Sequence, residues 1–228
     1  MGNTQLRKYE EYAYILDYKS RAKSTTVRGR TGVIIIALGE ERLTLLEILG
    51  IENSTFDVGE RIYIGKEGRT KIESVLGKMD YAKISDSAKN EISTVVKSIV
   101  IKNETKFVDY INNAQPLTPR IHALELIPGI GKTYLHVIIK EREKSLFENF
   151  NDIEKRAGLK EPINHLSQRI VEEISGETRM NLFVKRWTNV KNWDNIFLNQ
   201  KLLQNLLSLM QKSQRMMLYL KLEQVMEF

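Results

Sequence analysis

The apolar residues of this 228-residue chain change their spacing once, near Ser85, and that change dictates the fold class. Before it, YAYILDY from Tyr12 alternates and GVIIIALG, residues 32–39, is an unbroken apolar run between glycines. RLTLLEIL then follows a turn at Glu40 and Glu41, and GERIYIGKEG, residues 59–68, is bounded by glycines. Successive strand residues point to opposite faces, so alternation marks a half-buried strand and a short unbroken run a fully buried one. Short strands punctuated by glycine predict a small β-barrel-like domain over residues 1–83, of oligonucleotide-binding-like (OB-like) architecture. After Ser85, Ala88, Ile92, Val95, Val96 and Ile99 recur at helical spacing, with Ser85 or Asp86 placed to cap. The expected class is α+β: the barrel, an all-α domain over 84–185, and a C-terminal tail over 186–228.

Composition removes several chemistries. The chain has no cysteine, which excludes disulfides, thiolate nucleophiles and cysteine-based zinc sites. The first twenty residues lack the apolar run of a signal peptide, and Leu6 occupies the place where a myristoylation motif needs Ser or Thr. The run VIIIAL, residues 33–38, is far shorter than the roughly 20 residues of a membrane helix. The expectation is a cytoplasmic protein with no membrane contact. His122, His136 and His165 are scattered, without the spacing of a metal site, and no GxSxG, Walker loop or nuclease-like acidic cluster occurs. No catalytic residue, metal or cofactor is expected; His136 should be half-buried and His122 either touches phosphate or caps a connector. Tyr12, Tyr14, Tyr18 and Tyr63 are expected to pack across strands and not to stack on bases.

What remains is basic. Thirty-five Lys and Arg against 29 Asp and Glu give a net charge of +6, which suits an anionic partner. Within KSRAKSTTVRGRTG, residues 19–32, Lys19, Arg21, Lys23, Arg28 and Arg30 stand without one acid, predicting a mobile basic loop. A second constellation is LELIPGIGKTYLHVIIKER, residues 124–142, where two apolar segments flank Pro128-Gly129-Ile130-Gly131-Lys132. The glycines allow a sharp turn, Ile130 plugs it into the core, and the helix that follows presents free N–H groups and a positive dipole end to an anion. Lys132 adds charge, and Lys140 and Arg142 extend the patch.

This segment resembles the helix-hairpin-helix of sequence-independent nucleic-acid-binding proteins. The resemblance implies that the amides of Gly129, Ile130 and Gly131 meet a phosphate, with Lys132 nearby and Thr133 donating, while bases go unread. A second hairpin, expected in tandem versions, is represented only by Ala157-Gly158-Leu159-Lys160. Over residues 9–185, and most specifically from Phe107 to Lys132, the chain also resembles an archaeal family called domain of unknown function 655. That resemblance implies the barrel-plus-hairpin fold and nucleic-acid binding, with no catalytic residues.

The tail, rich in Asn, Gln, Leu and Met, reads as an amphipathic helix over 198–222. Its codons carry a second message. Read from the third base of each codon, Trp193-Asp194 and Met226-Glu227 each force Gly and Met216-Met217 forces Asp, and permitted codons spell strings similar to a ribosomal RNA adenine dimethyltransferase. Such an overlapping gene would leave the tail without a function of its own and favour RNA over DNA. The expected function is therefore phosphate-directed RNA or DNA binding, in ribosomal RNA metabolism. The alternative is a module that binds a ribosomal or replication protein, with the hairpin purely structural.

Overall fold

The structure, a computed structural model, describes residues 9–184. The expectations for the tail lie outside the described residues. Strands β1 (Tyr12–Lys23), β2 (Thr31–Gly39), β3 (Leu45–Gly50), β4 (Arg61–Tyr63) and β5 (Ile72–Lys78) form one antiparallel sheet in the order β4-β1-β2-β3-β5. The sheet curls into a half-barrel, and the chain is a mixed α+β fold. β5, spelled IESVLGK, has too weak an alternation to stand out in the sequence; its long pairing with β3 makes it a strand.

No backbone pairing joins β4 to β5, so the sheet does not close. Side chains span the gap, and Lys71 pairs with Glu60 at the start of the two strands. The Arg69 guanidinium donates to the carbonyls of Gly65 (2.6 Å), Ile64 (3.1 Å) and Glu73 (3.1 Å), tying the end of β4 to the start of β5. Five N–H donors in a fixed fork suit this task.

Both faces of the sheet are covered. Ala13, Ile15, Ile35, Ala37 and Ile48 point into the half-barrel with Phe56, Ile62 and Ile72, while Tyr14, Leu16, Leu38 and Leu45 pack with the helices. That is why four consecutive residues of β1, Ala13 to Leu16, are buried although the sequence alternates in polarity around them. The core runs unbroken from the strands into Ala88, Ile92, Val95 and Val96, so residue 83 is no gap in packing.

Helices α1 (Asp86–Lys102) and α2 (Glu104–Asn113) lead to a two-stranded ribbon, β6 (Pro116–Thr118) and β7 (Ile121–His122). Ser85 caps α1 by accepting from the Ala88 amide at 3.2 Å. A 3₁₀ turn (Ala123–Leu126) then precedes α3 (Lys132–Lys144), α4 (Phe150–Ala157) and α5 (Pro162–Ser175). α5 packs on α1 and carries a buried Arg169–Glu173 pair at 2.9 Å. Glu173 also accepts from the amides of Leu182, Phe183 and Val184, which fixes the chain after α5 and seats Phe183 edge-on to Phe107 and Tyr110. Among the described residues no helix is long and apolar enough to cross a membrane.

Candidate functional site

The chain enters the glycine turn from a 3₁₀ turn and not from an α-helix, because Pro128 and the ribbon at 116–122 leave no room for a longer one. His122 caps it: Nδ1 accepts from the Leu124 amide at 3.1 Å, and the Glu125 carboxylate accepts from the His122 amide at 2.8 Å. Burial, then the Arg142 charge, pushes the His122 pKa down, so the ring is neutral with its proton on Nε2. His122 is thus a connector cap.

The turn itself is set by two different glycines. Gly129 has φ +84, and a Cβ there would lie 2.4 Å from the His165 ring, which sits on the first turns of α5. Gly131 is extended, at φ −82 and ψ −179, and a Cβ there would meet nothing within 4 Å. Ile130, between them, is 3% exposed and plugs the core as its position implies. Its amide, however, donates to the Ile127 carbonyl at 3.0 Å. The expectation that the Ile130 N–H meets a phosphate is therefore corrected: closing the turn consumes that donor.

The amides of Gly129, Gly131 and the first turn of α3 are not consumed in this way. Gly131 is the N-cap, no side chain caps the helix, and no acidic residue occupies its first turn. First-turn N–H groups have no intrahelical acceptor. Gly131, Lys132, Thr133 and Tyr134 are exposed, and His136, expected half-buried, is exposed further along the same helix, as is Lys140. Arg142 does not extend this patch. Its guanidinium is half-buried and donates to the Ile111 carbonyl at 2.8 Å, neutralising the end of α2, and burial lowers its pKa.

The second turn repeats the shape without the charge pattern. Gly158 has φ +70 and the following Leu159 is 2% exposed, matching Gly129 and Ile130. Where the first turn has Gly131 and Lys132, the second has Lys160 and then Glu161, at φ +51, as the N-cap of α5. A carboxylate at a helix start competes with any anion for the same donors. Of the first turn's pattern, the second, at Ala157-Gly158-Leu159-Lys160, keeps the backbone torsion and the buried plug.

The basic segment at 19–32 is only partly a loop, over residues 24–30. Lys19, Arg21 and Lys23 lie on β1, which runs on to Lys23 through a register shift between Lys19 and Ala22, with Arg21 at φ +54. All three are exposed, as are Arg28 and Arg30 in the connection to β2; Arg30 stands 3.8 Å from Glu73. Behind this tip is Glu47 of β3, 1% exposed. Its carboxylate accepts from the Ser24 hydroxyl (2.6 Å), the Thr25 amide and hydroxyl (2.8 and 2.9 Å) and the Thr26 amide (2.9 Å). Burial pushes its pKa up, but the hydrogen bonds from the tip outweigh it and hold the group at about 2. Nothing in the sequence marked Glu47, which reads as one charge in a strand.

The tyrosines pack. Tyr12 and Tyr63 are paired across β1 and β4 with ring centroids 5.3 Å apart, Arg61 lies over Tyr12, Tyr14 is buried and Tyr18 tilts against Phe56. Among the described residues no group of three or more His, Asp or Glu could hold a metal ion.

Residues 9–185 match a family model described as protein of unknown function, DUF655. The uncharacterized protein MJ0038 of Methanocaldococcus jannaschii is 37% identical over 199 residues, covering 83% of this chain and 87% of that protein. The crystal structure of Af1531 from Archaeoglobus fulgidus, described as family-model DUF655, superposes with a TM-score of 0.69 at 34% identity, covering 77% of this chain and all of that one. With a family model spanning most of its length and a relative of this identity and coverage, the chain belongs to the DUF655 family.

Proposed function

We propose that this is a non-catalytic RNA- or DNA-binding protein that grips phosphates, with its half-barrel acting as an OB-like platform and the 3₁₀ turn, glycine turn and α3 as a helix-hairpin-helix. The supporting observation is the start of α3: an uncapped helix N-terminus without an acid in its first turn, opened by Gly131 and flanked by exposed Lys132 and Thr133. Such an end offers several N–H donors and a positive dipole to one anion. The Glu47-anchored tip, with Lys19, Arg21, Lys23, Arg28 and Arg30, supplies a second basic contact on the sheet. Neither reads a base edge, so binding is indifferent to sequence. RNA is favoured over DNA by the shifted-frame codons of the tail alone, and the nucleotide sequence of the gene tests that point.

The experiment is a salt titration of binding to matched single- and double-stranded RNA and DNA. Affinity should fall steeply as salt rises, and charge reversal at Lys132, Arg28 and Arg30 together should weaken binding to every sequence and flatten the salt slope by about one per lost phosphate contact. A salt-independent complex with a ribosomal or replication protein, and none with any nucleic acid, would instead make this an interaction module with a structural hairpin.

A further inference from the structure

Helix α3 buries one side only. Leu135 and Ile138 are in the core, while Lys132, Thr133, His136 and Lys140 are exposed. Lys132, His136 and Lys140 follow one another at intervals of four residues. At 3.6 residues per turn they fall within about 80° of one another around the helix axis, with Thr133 beside them. The result is a stripe about 12 Å long, at 1.5 Å of rise per residue. It starts at the glycine turn and runs along the helix away from it.

Among the described residues no side-chain hydrogen bond or ion pair engages Lys132, His136 or Lys140. The acids near the end of α3 are occupied with other cations. Glu141 pairs with Lys144 and, at 3.7 Å, with Arg156 of α4, and the Glu143 charge acts on the half-buried Arg142. Lys140 acts on Glu141 only through space, and more weakly than Lys144 or Arg156. The stripe thus carries two ammonium groups and an imidazole that the fold itself does not use.

We propose that one strand of a nucleic acid runs along this face, so that α3 meets a row of successive phosphates and not a single one at its start. Lys132 and Thr133 take the first, His136 the next and Lys140 the last. His136 is then a binding residue, offering a ring N–H to a phosphate oxygen. A length of about 12 Å covers roughly three phosphates of one duplex strand, which succeed one another by about 3.4 Å along the axis. Lysines on flexible stems are point charges that follow such a backbone without reading its bases. A lone phosphate fills only one end of the stripe, so the ligand class is an oligonucleotide and not a mononucleotide. This inference rests on the reading of α3 as a phosphate-binding helix and extends it from a point to a track.

The test is binding of the full chain to labelled RNA and DNA, as single strands of increasing length from a mononucleotide upward and as a duplex, between about 50 and 200 mM salt. Affinity should rise with length until about three phosphates are present. Lys140→Gln should weaken binding and lower the salt slope by about one, so that the loss of affinity across this salt range shrinks by about threefold. His136→Lys should steepen the slope by about one, and His136→Glu should weaken binding. Lys97→Gln makes the same charge change at an exposed position of α1 and should leave the slope unchanged. Slopes indifferent to Lys140→Gln and His136→Lys, an equal effect of Lys97→Gln, or full affinity for the mononucleotide would overturn the track. If binding is lost in Lys132→Glu yet indifferent to the substitutions at His136 and Lys140, the track fails alone. No binding to any nucleic acid overturns both the track and the function it rests on.

Discussion

The Glu47 carboxylate accepts both the amide and the hydroxyl of Thr25, at 2.8 and 2.9 Å, and so nails the tip between β1 and β2 to the middle of the sheet. A buried acid is the right group for this, because an ionised carboxylate accepts several donors at once and each charge-assisted bond is stronger than a neutral one.

Lowering the pH should therefore release the tip. The folded pKa of Glu47, about 2, lies below the ordinary value of 4.5, so its stabilisation is fully present above pH 4.5 and is lost as pH falls toward 2. The shift corresponds to about 3 kcal/mol. Urea unfolding followed from pH 7 down to pH 2 should show wild type losing this increment, while Glu47→Gln starts lower and has a flatter profile. Parallel profiles for the two proteins would rule this out.

Arg69 should behave as a clasp. Arg69→Ala removes three donors, to Ile64, Gly65 and Glu73, and leaves the β4 and β5 edges tied by the Lys71–Glu60 ion pair at their starts. We expect a cost of about 2–4 kcal/mol. Amide hydrogen exchange should accelerate over residues 61–65 and 72–75 before it does so in β1 and β2, and uniform acceleration would contradict a local role.

The two glycines of the turn should separate folding from binding. Gly129→Ala forces a side chain onto a positive φ and into the His165 ring, and should destabilise by about 1–3 kcal/mol. Gly131→Ala meets open space at an ordinary φ, and should leave urea stability within about 0.5 kcal/mol. If Gly131 keeps bare backbone at the phosphate, its substitution weakens nucleic-acid binding while thermal unfolding stays put.

Asn112 is the other buried polar tie. Its side-chain amide donates to the Phe147 carbonyl at 2.8 Å and accepts from the Phe147 amide at 2.9 Å, standing in for a strand neighbour between α2 and the loop after α3. Asn112→Leu strands two buried backbone groups and should cost about 2–4 kcal/mol in chemical denaturation. Asn112→Asp keeps the acceptor and loses the donor, and should fall between the two.

The sequence by itself determined the class, the order of strands before helices and the plug at Ile130, but not β5 or the β6–β7 ribbon inside the domain expected to be all-α. The period change at Ser85, the run in β2 and the spacing of Ala88, Ile92, Val95 and Val96 are local consequences of which face each residue must bury. Ile130 was legible for the same reason, as an apolar residue between glycines has nowhere else to go. The family, too, was legible in the run from Phe107 to Lys132. Tertiary structure alone decided what each charge does. Arg69, Glu47, Arg142 and Lys132 are all simply charged in a sequence, yet one clasps a sheet, one anchors a turn, one neutralises a helix end and one stays exposed. Whether the barrel closes was equally unreadable, since pairing β4 with β5 depends on the twist accumulated across four other strand pairs. Apolar residues reveal their place through periodicity, but polar residues are placed by partners far away in the chain, and those partners meet only when the fold brings them together.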